Sequence, residues 1–151
     1  MKFHAHRRIN LCFLLIVHAV VLAAANLPKT VMAADDWPPL RKGMWEYHRT
    51  IETPGTPGDP KIMQFASCAN PGEDMKNQTK QLLSICKISP LVRAGSSYTY
   101  SAECKIGEDL MISKSVLTVE SGNAYSIIVE TQTGTKATRE VLKASLKGAC
   151  P

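Results

Sequence analysis

Hydrophobic and polar residues alternate along most of the chain, which is the pattern of β-strands that bury one face. The alternation is clearest in residues 98–106, and it recurs in Gly43–Glu52 and in residues 124–131. Segments rich in Gly, Pro, Asn and Asp separate these runs, as expected for turns between antiparallel strands. The pattern therefore predicts a chain built mainly from short strands, including one over residues 61–68.

Two later segments are less regular. In residues 110–120 the apolar side chains change parity between Ile112 and Leu117, and a β-bulge near Lys114 and Ser115 would reconcile the two halves. Residues 136–147 have a helix-prone composition but follow a turn at Gly134, and this position favours a strand.

Only residues 71–83 change to a helical period. Asn70 is a candidate N-cap, Pro71 takes the first helical position, and Glu73 completes an N-x-x-E arrangement similar to a capping box. We therefore expect one short helix in an otherwise β-rich chain.

The N-terminal segment has the features of a secretory signal. Basic residues precede an apolar run over residues 11–25, which is shorter than the ~20 residues of a membrane span. Val31 and Ala33 place small residues at −3 and −1, so residues 1–33 are predicted to be removed after Ala33. Cleavage after Ala25 and a retained anchor are the alternatives. Residues 34–151 would then form a single exported domain with no membrane span, and residues 34–39 a poorly ordered lead-in.

Removal of this signal changes the meaning of the composition. The whole chain has 18 Lys and Arg against 13 Asp and Glu, a net charge of +5 that would suggest a polyanion partner. Residues 1–33 hold four of the bases and no acid, which leaves 14 bases against 13 acids. With no basic stripe and no phosphate-binding glycine motif, we expect no nucleic-acid partner and no cofactor.

Four cysteines remain after signal removal, an even number in a small exported domain, which predicts two disulfides. Zinc is the competing interpretation, but the chain has no C-x-x-C spacing and the predicted domain keeps a single histidine, His48. Of the three possible pairings we favour one that closes the loop around the helix and pins the C-terminus to a central strand. The predicted pairs are Cys68 with Cys86, and Cys104 with Cys150.

These features together predict the fold class: mainly β, with about seven strands in a curved antiparallel sheet or half-open barrel, one short helix and two disulfides. Because a domain of this size buries only about two thirds of its unfolded surface, the disulfides should matter for its stability.

Several short motifs occur in a fixed order along residues 40–151. They are RKGMWE at 41–46, PGTP at 54–57, a cysteine with an acidic helix start at 68–74, Cys86-Lys87, Cys104, and Gly148-Ala149-Cys150. In this order the chain resembles the bacterial domain-of-unknown-function family 3617, a family of small exported proteins. The resemblance implies a periplasmic, disulfide-containing β domain without an assigned activity or catalytic residue. The helix-prone segment 138–147 departs from the family pattern.

The functional candidates are few. Five aromatic residues form either the core or the lining of an apolar ligand site at the mouth of a half-open barrel: Trp45, Tyr47, Tyr98, Tyr100 and Tyr125. His48 is the candidate general base, but no motif of nucleophilic catalysis accompanies it. We therefore expect a non-enzymatic periplasmic module that holds a small apolar ligand or lipid. An envelope-associated interaction or structural module is the alternative, and an enzyme that uses His48 is the second alternative.

Overall fold

The computed structural model describes residues 30–32, 36–56 and 58–151. Nine strands and one helix are found among these residues, and no helix among them is long and apolar enough to cross a membrane. The elements are β1 Thr30–Met32, β2 Gly43–Glu52, β3 Lys61–Ala69, α1 Pro71–Leu82, β4 Cys86–Ile88, β5 Leu91–Ala94, β6 Ser97–Ile106, β7 Asp109–Ser121, β8 Ala124–Thr133 and β9 Lys136–Gly148.

All nine strands join one antiparallel sheet in the order β1-β5-β6-β7-β8-β9-β2-β3, and β4 pairs with β6 beside β5. The sheet does not close into a barrel. Strands β6 to β9 form a meander, because each is joined to the next by a tight turn such as the one at Gly134, which has φ +57°. The predicted fold class is confirmed, and residues 136–147 lie in a strand, β9.

One face of this sheet, the core face, carries the packed interior. Trp45 is fully buried, and Leu117 and Tyr98 are 2% and 4% exposed. Helix α1 follows β3 and leads into β4, and its Met75 packs into the same cluster. The helix thus crosses the core face from the β3 edge towards the β4–β5 edge. We call the opposite face of the sheet the outer face.

The predicted bulge at Lys114 and Ser115 is wrong. Strands β6 and β7 pair without a register shift, and the irregularity of β7 lies between Val119 and Ser121 against β8. The change of parity has another cause, because Ile112 is 45% exposed on the outer face.

The predicted capping box does not form at the start of α1. The Asn70 side chain makes no capping hydrogen bond. Instead, the Asn70 backbone N–H donates to Asp74 Oδ2 at 3.2 Å. The acidic residue that completes the first turn is therefore Asp74 rather than Glu73, and the helix ends at Leu82, one residue earlier than predicted.

Both predicted disulfide pairs are wrong, although all four cysteines are paired. Cys86 in β4 faces Cys104 in β6 directly across the strand pair, with 4.2 Å between their Cα atoms. Cys68 in β3 bonds Cys150, which follows β9, at a Cα distance of 5.6 Å. The reason is topological, because β2 lies between β3 and β9 and so brings the ends of those two strands together.

Strand β1 lies inside the segment that the sequence assigns to the signal peptide. Among the described strands it pairs only with β5, and its Val31 is 68% exposed. Cleavage after Ala33, as predicted, would remove this short strand and make β5 an edge of the sheet. The rest of the predicted signal lies outside the described residues.

Candidate functional site

A pocket with a volume of about 190 Å³ lies between the C-terminal half of α1 and the corner that joins β4 to β5, and we call it the α1 pocket. It is open to solvent on one side. Its lining residues are Trp37, Thr79, Leu83, Ile88, Ser89, Pro90, Leu91 and Tyr100.

The walls of the α1 pocket come from elements with different degrees of burial. Leu91 begins β5 and is only 4% exposed, so it belongs to the core behind the pocket. Leu83 directly follows α1 and is 52% exposed at the pocket. Trp37 precedes β2 and meets Tyr100 edge to face, with 5.7 Å between ring centroids. The pocket therefore combines a fixed core surface with side chains that a ligand could cover.

Two hydroxyl groups that line the α1 pocket, those of Thr79 and Ser89, already have partners within the protein. Thr79 Oγ1 donates to the Met75 carbonyl at 2.9 Å, and Ser89 Oγ accepts the Ser101 backbone N–H at 2.9 Å. Trp37 Nε1 is buried without a hydrogen-bond partner among the described residues. The pocket thus offers mainly apolar contact.

The structure separates the five aromatic residues proposed from the sequence as ligand-binding. Four of them lie in the core, where Tyr125 is 4% and Tyr47 is 8% exposed. The Trp45 and Tyr125 rings lie 5.2 Å apart. Only Tyr100 lines the α1 pocket.

Two of the core tyrosines have perturbed acidity. Burial raises the pKa of Tyr125 above the usual tyrosine value, and the hydrogen bond that its hydroxyl donates to Tyr47 raises this pKa further. Burial also raises the pKa of Tyr47, although the bond received from Tyr125 opposes this shift. Both phenols therefore stay protonated at neutral pH, and they act as packed, hydrogen-bonded core groups.

His48 lies on the outer face of β2, in contact with solvent. Its Nε2 lies 3.0 Å from Glu46 Oε1, and Lys147 Nζ lies 3.3 Å from the same oxygen. The hydrogen bond from His48 lowers the pKa of Glu46, and the hydrogen bond from Lys147 lowers it further. His48 does not line the α1 pocket or any of the four other best-formed pockets of the described residues. Within the same part of the chain, no three His, Cys, Asp or Glu side chains are grouped to hold a metal ion.

The sequence reasoning missed most of the pocket. The expectation of a poorly ordered lead-in over residues 34–39 is wrong for its described part, because Trp37 packs on Tyr100 and lines the pocket. The chain just after this segment is also held, since Trp45 Nε1 donates to the Arg41 carbonyl at 2.9 Å. The sequence signal for this ordered segment was Trp37, a large aromatic residue directly before two prolines.

No family model, no curated protein and no solved structure matches this chain.

Proposed function

We propose that this protein is a non-enzymatic binding module of the bacterial periplasm that holds a small apolar ligand in the α1 pocket. The observation that supports it is the chemistry of the pocket, whose walls are mainly apolar and whose Thr79 and Ser89 hydroxyls are already hydrogen-bonded. A ligand with many polar atoms would lose its hydrogen bonds to water there without replacement.

The size of the pocket restricts the ligand. A cavity of about 150 Å³ lined by apolar side chains can hold benzene, so the 190 Å³ of the α1 pocket suits a single aromatic ring or a short branched alkyl group. A whole lipid is too large, and only the end of an acyl chain would enter. The rings of Trp37 and Tyr100 favour an aromatic ligand, because they offer both ring edges and ring faces.

The state of the cysteines supports the periplasm as the proposed compartment. All four cysteines of the described residues lie in disulfides, which indicates an oxidising environment. Together with the predicted signal peptide and the resemblance to family 3617, this supports the periplasm. Cell fractionation followed by mass spectrometry of the exported chain tests it, and we expect the first residue to be Ala34.

An enzymatic role has less support. His48 is exposed on the outer face and is bonded to Glu46, whereas the α1 pocket lies on the core face. A general base needs to reach a bound substrate, and His48 does not line the α1 pocket.

The test uses toluene as the probe and a variant that fills the pocket. Leu83→Trp places a large ring at the edge of the α1 pocket, and Leu110→Trp is the matched control. The two leucines are similarly exposed, at 52% and 53%, but Leu110 lies on the outer face of β7. We expect saturation-transfer NMR to detect toluene bound to the exported protein and to the Leu110→Trp variant. The signal with the Leu83→Trp variant should be at least tenfold weaker than with the unaltered protein. Equal binding by both variants, or no binding by the unaltered protein, would contradict the proposal.

A second candidate function is an envelope-associated interaction module. The specific observation in its favour is the long, exposed edge strand β3 at the other end of the sheet.

A further inference from the structure

Strand β3 ends the sheet on the side away from the α1 pocket. Only β2 pairs with it in the part of the chain that the structure describes, so one row of its backbone N–H and C=O groups faces outwards. Seven of its nine residues are exposed. The strand is therefore accessible along nearly its whole length.

The edge of β3 lacks the usual protection against pairing. Natural sheets blunt their edges with charged residues, proline, bulges or very short strands. Strand β3 pairs with β2 in continuous register over nine residues, and its only charged residue is Lys61 at the start. Apolar side chains are exposed on both of its faces, with Ile62 66% exposed on the outer face and Phe65 49% exposed on the core face. Such an edge is suited to accept another strand.

We propose that a second copy of this chain binds there, with the two β3 strands antiparallel around a two-fold axis at Phe65. Phe65 is the middle residue of Lys61–Ala69, so this register overlaps all nine residues. A two-fold interface places the same surface on both copies, which requires that the strand complement itself. The uncharged stretch from Ile62 to Ala69 meets this condition, because no like charges face each other.

The charges at the two ends of β3 complement each other in this arrangement. Lys61 of one copy lies opposite Ala69 of the second copy, directly before the point where that copy's α1 begins. The first turn of α1 carries the exposed acidic residues Glu73 and Asp74. The antiparallel pairing thus brings a base near two acids at each end, whereas a parallel pairing would bring the two lysines together.

Phe65 supplies the centre of the proposed contact. Its ring stacks on Tyr47 with 4.8 Å between centroids and an interplanar angle of 18°, which fixes its orientation while about half of it stays exposed. At the two-fold axis, the Phe65 side chains of the two copies become direct cross-strand neighbours. Dimer formation would therefore cover the largest exposed aromatic group of this edge.

The first test measures the molar mass of the exported protein by light scattering and sedimentation velocity. Over about 1 to 200 µM, a range that covers weak association, we expect the mass to rise to twice that of the single chain. Ile62→Lys should keep the protein monomeric, because it places two added charges at the interface. Ile112→Lys is the matched control, an isoleucine 45% exposed on the same face but in the central strand β7, and it should dimerise normally.

A monomeric unaltered protein at the highest concentration, or an Ile62→Lys variant that dimerises as the control does, would overturn the proposal. Circular dichroism checks that both variants fold. If Ile62→Lys does not fold, hydrogen exchange of the unaltered protein decides instead. The β3 amides should exchange at least several-fold more slowly at high than at low concentration, and unchanged exchange would refute the dimer. Toluene binding is a separate readout, since the α1 pocket lies at the other end of the sheet.

Discussion

The disulfide between Cys68 and Cys150 should carry a large part of the stability of this domain. It joins the edge strand β3 to the chain end after β9 and closes a loop with a sequence separation of 82. Strand β3 buries little of its own surface, so packing contributes little to its attachment. We therefore predict that replacing both cysteines, as Cys68→Ala with Cys150→Ala, strongly lowers the free energy of unfolding.

The magnitude follows from the entropy that the cross-link removes from the unfolded chain. The loop of 82 residues corresponds to about 4.5 kcal/mol at 25 °C. The separation of 18 between Cys86 and Cys104 corresponds to about 3 kcal/mol. Because Cys104 is 2% exposed, its replacement adds up to about 1 kcal/mol for the void that it leaves. Either loss is a large fraction of the ~5–15 kcal/mol that stabilise a typical domain.

Urea denaturation, followed by the fluorescence of the fully buried Trp45, measures these losses in the two double variants. Limited reduction, followed by alkylation and mass spectrometry, shows which of the two disulfides opens first. The exposed Cys68 should be reduced before the buried Cys104. A loss below about 1 kcal/mol in the Cys68→Ala, Cys150→Ala variant would refute the loop-entropy argument.

Three further predictions concern the core. Trp45→Ala should cost about 3–5 kcal/mol in urea denaturation, and Phe65→Ala should cost clearly less because Phe65 is half exposed. Gly43→Ala should cost about 1–3 kcal/mol and lower Tm in calorimetry, since a Cβ at Gly43 would clash with the Gly148 carbonyl oxygen. The domain should also lose stability as the pH rises above about 10, because the pKa of Tyr125 is raised in the folded state and the unfolded state then releases the proton first. Tyr125→Phe should flatten this fall when Tm is measured from about pH 8 to 11, and an equally steep fall in the variant would contradict the assignment.

The strands could be predicted almost to the residue where alternation and turns coincide. Residues 98–106 and Gly43–Glu52 are examples, because a single buried face enforces a period of two and a glycine or proline ends each run. These local signals do not specify which strands become neighbours. The predicted disulfides are wrong for this reason: the pairing of β4 with β6 and of β9 with β2 decides which cysteines meet, and no local pattern indicates it.

The candidate pocket was less accessible to sequence reasoning. Tyr100 lies in an alternating strand, whereas Trp37 lies in an irregular segment that has no period. Leu83 falls at the end of the predicted helix, where the helical pattern does not show what the side chain contacts. Their shared position depends on the path of α1 across the sheet, and a local pattern does not define that path. The same limit applies to the outer face, because the change of parity at Ile112 predicts a bulge, whereas the structure leaves this side chain exposed without one at Lys114 or Ser115.

The two disulfides are nested, since residues 86 and 104 both lie between residues 68 and 150. A protease that cuts once anywhere from residue 69 to 149 therefore leaves a single covalent molecule, and its fragments separate on a gel only after reduction. A cut in the loop between β2 and β3 has a different result, because that loop lies outside both cross-linked rings. After such a cut only noncovalent pairing with β3 and β9 holds β2, which carries Trp45, so this fragment should separate on a denaturing gel without any reductant.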